Sequence, residues 1–216
     1  MVRHLQWLPL GLVLLLVLGC QSTYYGAMEK FGYHKRDILV ERVEEGRDDQ
    51  QAAKQQFQSA LDQFSALVGF KGGDLRALYD RLNGELSKCR DRAKAVTNRI
   101  QSIESVAAAL FEEWETELNQ YSNPDLKQRS ERALRDTQQR YGQLIAAMKR
   151  AESRMPPILT AFNDQVLFLK HNLNAQAVAS LEGDVAEMEN DIAALIAEMN
   201  AAIAEADAFI EGMGQG

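Results

Sequence analysis

The chain has 216 residues, a formal net charge of −7, 46% hydrophobic and 25% charged residues, and two cysteines. That size accommodates one domain or two small ones. The acidity excludes an ordinary nucleic-acid binder, and two cysteines exclude a disulfide framework or a Cys-rich zinc module. Four prolines and no long Gly or Ser tract argue against a turn-dense β fold.

The first nineteen residues read as a targeting segment. Arg3 supplies a positive start, Leu10–Leu18 is an unbroken apolar run, and Gly19 precedes Cys20. The run is short for a membrane span and suits a secretory leader. Val17-Leu18-Gly19-Cys20 resembles a bacterial lipobox, with Leu18 a less usual residue there, so Cys20 is the expected lipidation site. Acyl chains on Cys20 would hold the protein on a membrane, at about 0.8 kcal/mol per buried CH₂. Gln21 stands where, among bacterial lipoproteins, an Asp tends to retain the protein at the inner membrane. The expected location is therefore the bacterial envelope, lipid-anchored, at the outer membrane facing the periplasm. Removing 1–19, which holds one Arg and no acid, leaves 197 residues at net charge −8.

Residues 20–33 are expected to form a membrane-proximal linker, 34–212 a helical domain, and 213–216 a flexible tail. In the linker region Tyr24, Tyr25, Phe31 and Tyr33 interleave with basic residues that continue into Lys35 and Arg36. Aromatic rings and cations both suit a headgroup interface. Packing of the rings against the base of the domain accounts for the pattern equally well.

The domain itself predicts long helices and no strands, because apolar residues recur at steps of three and four. The first helix spans about His34–Phe70, with a seam of Leu39, Val43, Gly46, Gln50, Ala53, Phe57, Ala60 and Phe64. Gly46 and Gln50 thin that seam where apolar residues belong. The helix ends at a glycine stop, Gly69 to Gly73. The second begins at the N-cap Asp74 and carries the clearest heptad stripe, Leu75 through Ile100 to Leu118. Near Tyr121 it gives way to Ser122-Asn123-Pro124-Asp125, which supplies a cap, a first-turn proline and an acid for the next helix.

Where the third helix ends decides the architecture. Pro156-Pro157 is the strongest break, since a residue before proline is pushed from helical dihedrals, and a reversal there gives an up-down-up-down bundle. A rival places the turn at His171-Asn172-Leu173-Asn174, leaves the prolines as a kink and matches helix lengths better. The proline turn is the favoured expectation. With it, Val166-Leu167-Phe168-Leu169 opens the last helix, and four apolar residues in a row predict burial on several sides. The fold class is thus all-α: an elongated antiparallel helical bundle or coiled coil of about four long helices.

Charge is unevenly shared. After Lys170 there is no Lys or Arg, and nine acids make that segment −9, whereas the third helix, 124–154, is +4. The third helix, and the cluster Lys88, Arg90, Arg92, Lys94 and Arg99 of the second, are the expected flanks of the acidic helix.

No residue pattern points to catalysis. His34 and His171 are not at helical metal-ligand spacing, Cys89 lies on the core stripe as a small apolar residue, and Glu112-Glu113-Trp114-Glu115 reads as a solvated acidic face. No cofactor, metal or small-molecule substrate is expected, and the protein is expected not to be an enzyme. One further stretch stands out: Phe168, Lys170, His171, Asn172 and Asn174, where an apolar helix meets a polar cluster, form a candidate partner-docking surface. Helix capping is the plainer account of the same residues. Three literal runs, Tyr24–Glu44, Leu110–Asn123 and Gln165–Leu181, resemble an uncharacterised family of helical Gram-negative lipoproteins, a domain-of-unknown-function family of the DUF2959 type. The resemblance implies a helical envelope protein and brings no activity or ligand. A lipid-anchored periplasmic scaffold or adaptor with an envelope protein partner is the expected role. A membrane-active bundle that inserts into lipid is the alternative; the oligomeric state is open.

Overall fold

The computed structural model of the protein describes residues 34–68, 74–172 and 174–214. Four long helices carry the fold: α1 (Lys35–Val68), α2 (Leu75–Glu117), α3 (Pro124–His171) and α5 (Glu182–Gly214). A 3-10 turn, Leu118–Gln120, extends α2, and a short helix, α4 (Ala175–Ser180), precedes α5. The described residues hold no strand.

Both caps form as expected. The Asp74 carboxylate accepts from the amides of Arg76 and Ala77 at 2.9 and 3.1 Å. The Asn123 side chain accepts from Asp125 and Leu126, with Pro124 at the first turn of α3. Each satisfies donors that the helix itself leaves open.

The helices form a closed ring. α1 packs on α2 and α5, and α3 packs on α2 and α5. Arg47 reaches Asp207, Lys54 reaches Asn200 and Ser65 reaches Glu189, so α1 and α5 run antiparallel. All eight described seam residues of α1 named above are buried, as are Val185, Met188, Ile192, Leu195, Met199, Ala202, Ala206 and Phe209 on α5. Phe162 of α3 stacks on Phe64 of α1, with centroids 4.6 Å apart and planes 4° apart, and lies 6.5 Å from Phe57. This aromatic column fills the core toward the end where α1 stops.

The favoured turn is not where the chain reverses. α3 runs through Pro156 and Pro157 to His171, and the reversal lies around Asn172 and Asn174. The physical reason is the seam. Met148, Ala151, Met155, Ile158, Phe162, Val166 and Leu169 keep the three-four spacing across the prolines, and all are buried. Pro156 and Pro157 point to solvent, so each removes an amide hydrogen bond on the wet side and leaves the core face intact. Continuing α3 also leaves α5 with 33 residues against 34 for α1. A reversal at the prolines would have given a last helix far longer than its neighbours, with part of its seam in water.

Three other expectations shift with it. Leu167 and Phe168 are 51% and 39% exposed while Val166 and Leu169 are buried, so the apolar run is not buried on several sides; half of it faces outward. The acidic α5 lies beside α3 and α1, with α2 diagonal to it. Arg150 and Arg154 do meet Glu198, at 3.2 and 3.7 Å, but Arg47 of α1 supplies the other flank, and Arg99 of α2 pairs with Glu45 and Asp49 of α1. Finally, α5 stays helical through Gly214, with Met213 buried and its carbonyl bonded by Arg36.

The thin part of the α1 seam has two explanations. A Cβ on Gly46 would lie 2.9 Å from Ile103 Cδ1 and 3.1 Å from Met148 Cε, so large residues of α2 and α3 already fill that space. Gln50 has no such compensation: it is 1% exposed, and neither its Oε1 nor its Nε2 has a partner. A buried unpaired amide costs about 1–3 kcal/mol.

Gln50→Leu is therefore expected to raise stability by about 1–3 kcal/mol, read as a higher urea midpoint; a lower midpoint would mean that the amide has a partner. Pro156→Ala with Pro157→Ala is expected to raise the melting temperature and helicity, because it restores two main-chain bonds on an exposed helix face. A reversal at this point would instead be damaged by the same change.

Candidate functional site

The two surfaces singled out in the sequence lie at opposite ends of the bundle. The α1 start, the α5 end and Arg140 of α3 share one end: Arg36 bonds the Met213 carbonyl, and Gly212 lies under the Arg140 guanidinium. Asn172, Asn174 and the start of α5 form the other. At 1.5 Å per residue, the 34 residues of α1 separate the two ends by about 50 Å.

At the first end, Lys35 and Arg36 are structural. Lys35 forms an ion pair with Glu113 of α2 at 3.0 Å. Arg36 donates to the last turn of α5, where a cation complements the carbonyl end of the helix. Together they tie α1 to both neighbours. A cleft of about 390 Å³ opens here, lined by His34, Lys35, Arg36, Leu110, Glu113 and Glu117. Cys20, Tyr24, Tyr25, Phe31 and Tyr33 lie outside the described residues.

Below this level α2 and α3 continue without α1 and α5. No residue between Leu110 and Leu134 is buried. The pair is held by a Phe111–Tyr141 edge contact at 5.4 Å, by Trp114 Nε1 donating to Ser130 Oγ at 2.8 Å, and by Gln138 donating to Glu115 at 3.1 Å. The acidic run 112–115 is thus partly engaged in packing. At the tip, Tyr121 and Leu126 are 42% and 49% exposed. Leu126 lies on the apolar side of α3, and it is exposed because α1 and α5 end before they reach it.

At the far end, Phe168, Lys170, His171 and Asn174 are exposed. Asn172 donates its side-chain amide to the Phe168 carbonyl at 3.0 Å and its main-chain N–H to Leu169. It closes the helix, as the plainer account of these residues held. Beside them a cleft of about 290 Å³ is lined by Asp164, Gln165, Phe168, Ser180, Leu181 and Asp184. Gln165 donates to Asp184 at 2.9 Å, and its own buried carbonyl oxygen has no protein partner. Gln165 and Asp184 carried no distinguishing signal in the sequence, since each falls within an ordinary helical pattern.

Titratable groups add little chemistry. Cys89 is fully buried, and burial pushes its thiol to about 12; its Sγ contacts the Gln56 carbonyl at 3.7 Å. Burial, then Glu104, raises the Tyr141 hydroxyl to about 12. The Lys88 ammonium holds the Glu85 carboxyl below its ordinary range, aided by Gln56. These groups sit in helix–helix contacts and do not converge on a cleft. Among the described residues, no three His, Cys, Asp or Glu side chains are grouped to hold a metal.

The sequence matches the DUF2959 family, described as proteins of unknown function, over residues 24–213. The chain belongs to that family. The DUF2959 region takes in all three literal runs and both ends of the bundle, so the helical hairpin, the α1 base and the Asn172 turn are all parts of the family domain. No curated protein matches the sequence.

The Cys89 environment gives a direct expectation. The native thiol should resist a water-soluble disulfide reagent at pH 8, because its thiolate is about a thousandfold scarcer than that of an ordinary thiol and the site is closed. Labelling should appear only in urea. Rapid labelling of the native protein would show that α1 and α2 separate readily.

Proposed function

We propose that this DUF2959 protein is a non-enzymatic, lipid-anchored strut of the bacterial envelope. Acyl chains on Cys20 hold its base on the outer membrane, and its far end meets a protein partner in the periplasm. The observation that supports this reading is the opposite placement of the two surfaces: the chain enters the bundle at His34, and the exposed Leu167–Phe168 corner lies about 50 Å away along α1. A four-helix bundle with a continuous core is stiff enough to keep that separation. The lipobox-like Val17–Cys20 and the leader before it support the anchored end.

The membrane-inserting alternative has less to recommend it. No helix among the described residues is long and apolar enough to cross a membrane, and the apolar seams are committed to the bundle core.

The test is Cys20→Ser combined with site-directed crosslinking. Cys20→Ser is expected to abolish palmitate labelling and to release the protein from membranes; persistent labelling would remove the anchor from the reading. In cells, a photoreactive residue at Phe168 is expected to give one discrete adduct, and one at the exposed mid-bundle Ser153 is expected to give none. Equal capture at both positions would argue against an end-specific partner.

A further inference from the structure

The part of the chain that the strut leaves unexplained is the α2–α3 hairpin below the bundle. α1 begins opposite Glu113, and α5 ends at Gly214 beside the Arg140 level of α3. The first turns of α3, 124–136, therefore carry the tip about 20 Å past the four-helix body. Among the described residues two helices continue alone here, and the seam residues Trp114, Leu118 and Leu126 lack the cover that their counterparts in the body receive from α1 and α5.

The tip differs from the rest of the surface. Leu118–Pro124 contains no Asp, Glu, Lys or Arg, although the chain as a whole is 25% charged. Tyr121 and Leu126 are two of the four large hydrophobic side chains that stand exposed among the described residues, and the other two, Leu167 and Phe168, are at the opposite end. Charges resume immediately around it: Glu115 and Glu117 on α2, and Asp125, Lys127 and Arg129 on α3. A tip that is uncharged from Leu118 to Pro124, with Leu126 set in the charged collar between Asp125 and Lys127, is the pattern of a group that sits at headgroup depth, where an aromatic ring has one apolar and one wet side.

Direction decides the occupant. The hairpin points away from the bundle at the end where the chain enters at His34, which is also the end nearest the lipid in the strut. Fourteen residues, 20–33, join Cys20 to that point; fully extended they span at most about 50 Å. That reach exceeds the roughly 20 Å by which the tip overhangs, so chain length allows the anchor and the tip to meet one lipid surface. A second copy fits less well, because two half-exposed side chains fall far short of the roughly 800 Å² that each partner gives a stable protein interface.

We propose that Leu118–Leu126 is a second membrane contact: Tyr121 and Leu126 rest in the headgroup layer of the bilayer that holds Cys20, and this second point fixes the long axis of the bundle relative to the membrane. The proposal rests on the anchored-strut reading. A single acyl anchor would let the bundle swivel; two contacts separated along the surface would not.

The experiment uses full-length protein processed in bacteria, purified in detergent and reconstituted in vesicles of phosphatidylethanolamine and phosphatidylglycerol. Trp114→Phe removes the single tryptophan that follows the leader. Tyr121→Trp or, separately, Leu126→Trp then reports the tip. In vesicles that also contain shallow-brominated phosphatidylcholine, the tip emission is expected to shift to the blue, to lose intensity and to become protected from aqueous iodide. A tip tryptophan that stays open to iodide and is untouched by brominated lipid, in protein that carries labelled palmitate, overturns the second contact and leaves the anchor standing. Protection from iodide without lipid quenching assigns the tip to a second copy and also overturns the proposal. Quenching without palmitate label keeps the tip contact and removes the Cys20 anchor. Circular dichroism of both reporters keeps a folding defect from being read as loss of contact.

Discussion

The structure depends on the unbroken apolar seam of α3. Ile158, Phe162, Val166 and Leu169 continue the stripe of Met148, Ala151 and Met155 past two prolines, and Phe162 stacks on Phe64 of α1 in the core. Each such side chain contributes roughly 1.5–3 kcal/mol on burial, and an interior proline costs about 3 kcal/mol. The prolines are tolerable because they face water, where the carbonyls they orphan remain hydrated. With α3 held straight, the reversal falls at Asn172, α5 matches α1 in length, and all four helices share one core.

Helix length then sets everything outside the core. α2 and α3 have 43 and 48 residues, α1 and α5 have 34 and 33. Antiparallel pairs must start near one another at their turns, so the surplus of α2 and α3 collects at one end as a bare hairpin. That hairpin, the chain entry at His34 and the α5 terminus share the same end, while the exposed Leu167–Phe168 corner is at the other. A polarised rod follows from length arithmetic, without any special residue.

Electrostatics selects neighbours more than it stabilises them. Arg150 and Arg154 with Glu198, and Arg47 with Asp207, join the acidic α5 to its two flanks across exposed ground, where an ion pair contributes about 0.2–1 kcal/mol. Lys35 and Arg36 act locally to fasten α1 to α2 and α5. Gln50 runs against the trend, a buried amide with no partner in the core.

Much of the fold was legible in the sequence because helical burial has a local signature. Three-four spacing named the α1 seam residue by residue, Asp74 and Asn123 announced their helices, and the uneven charge placed α5 beside α3. The turn was not legible, because Pro156-Pro157 carries a strong local preference against helix and the decision lay in whether the seam beyond it had partners. That is a property of the other three helices. The same holds for Tyr121, Leu126, Leu167 and Phe168: spacing assigns a side chain to a face, but whether anything covers that face depends on where the neighbouring helices stop. Local pattern determined which residues form helices and which side of each is apolar; only the tertiary structure decided where the chain reverses and which apolar groups stay in water, because burial requires a partner and the partner is set by length and packing.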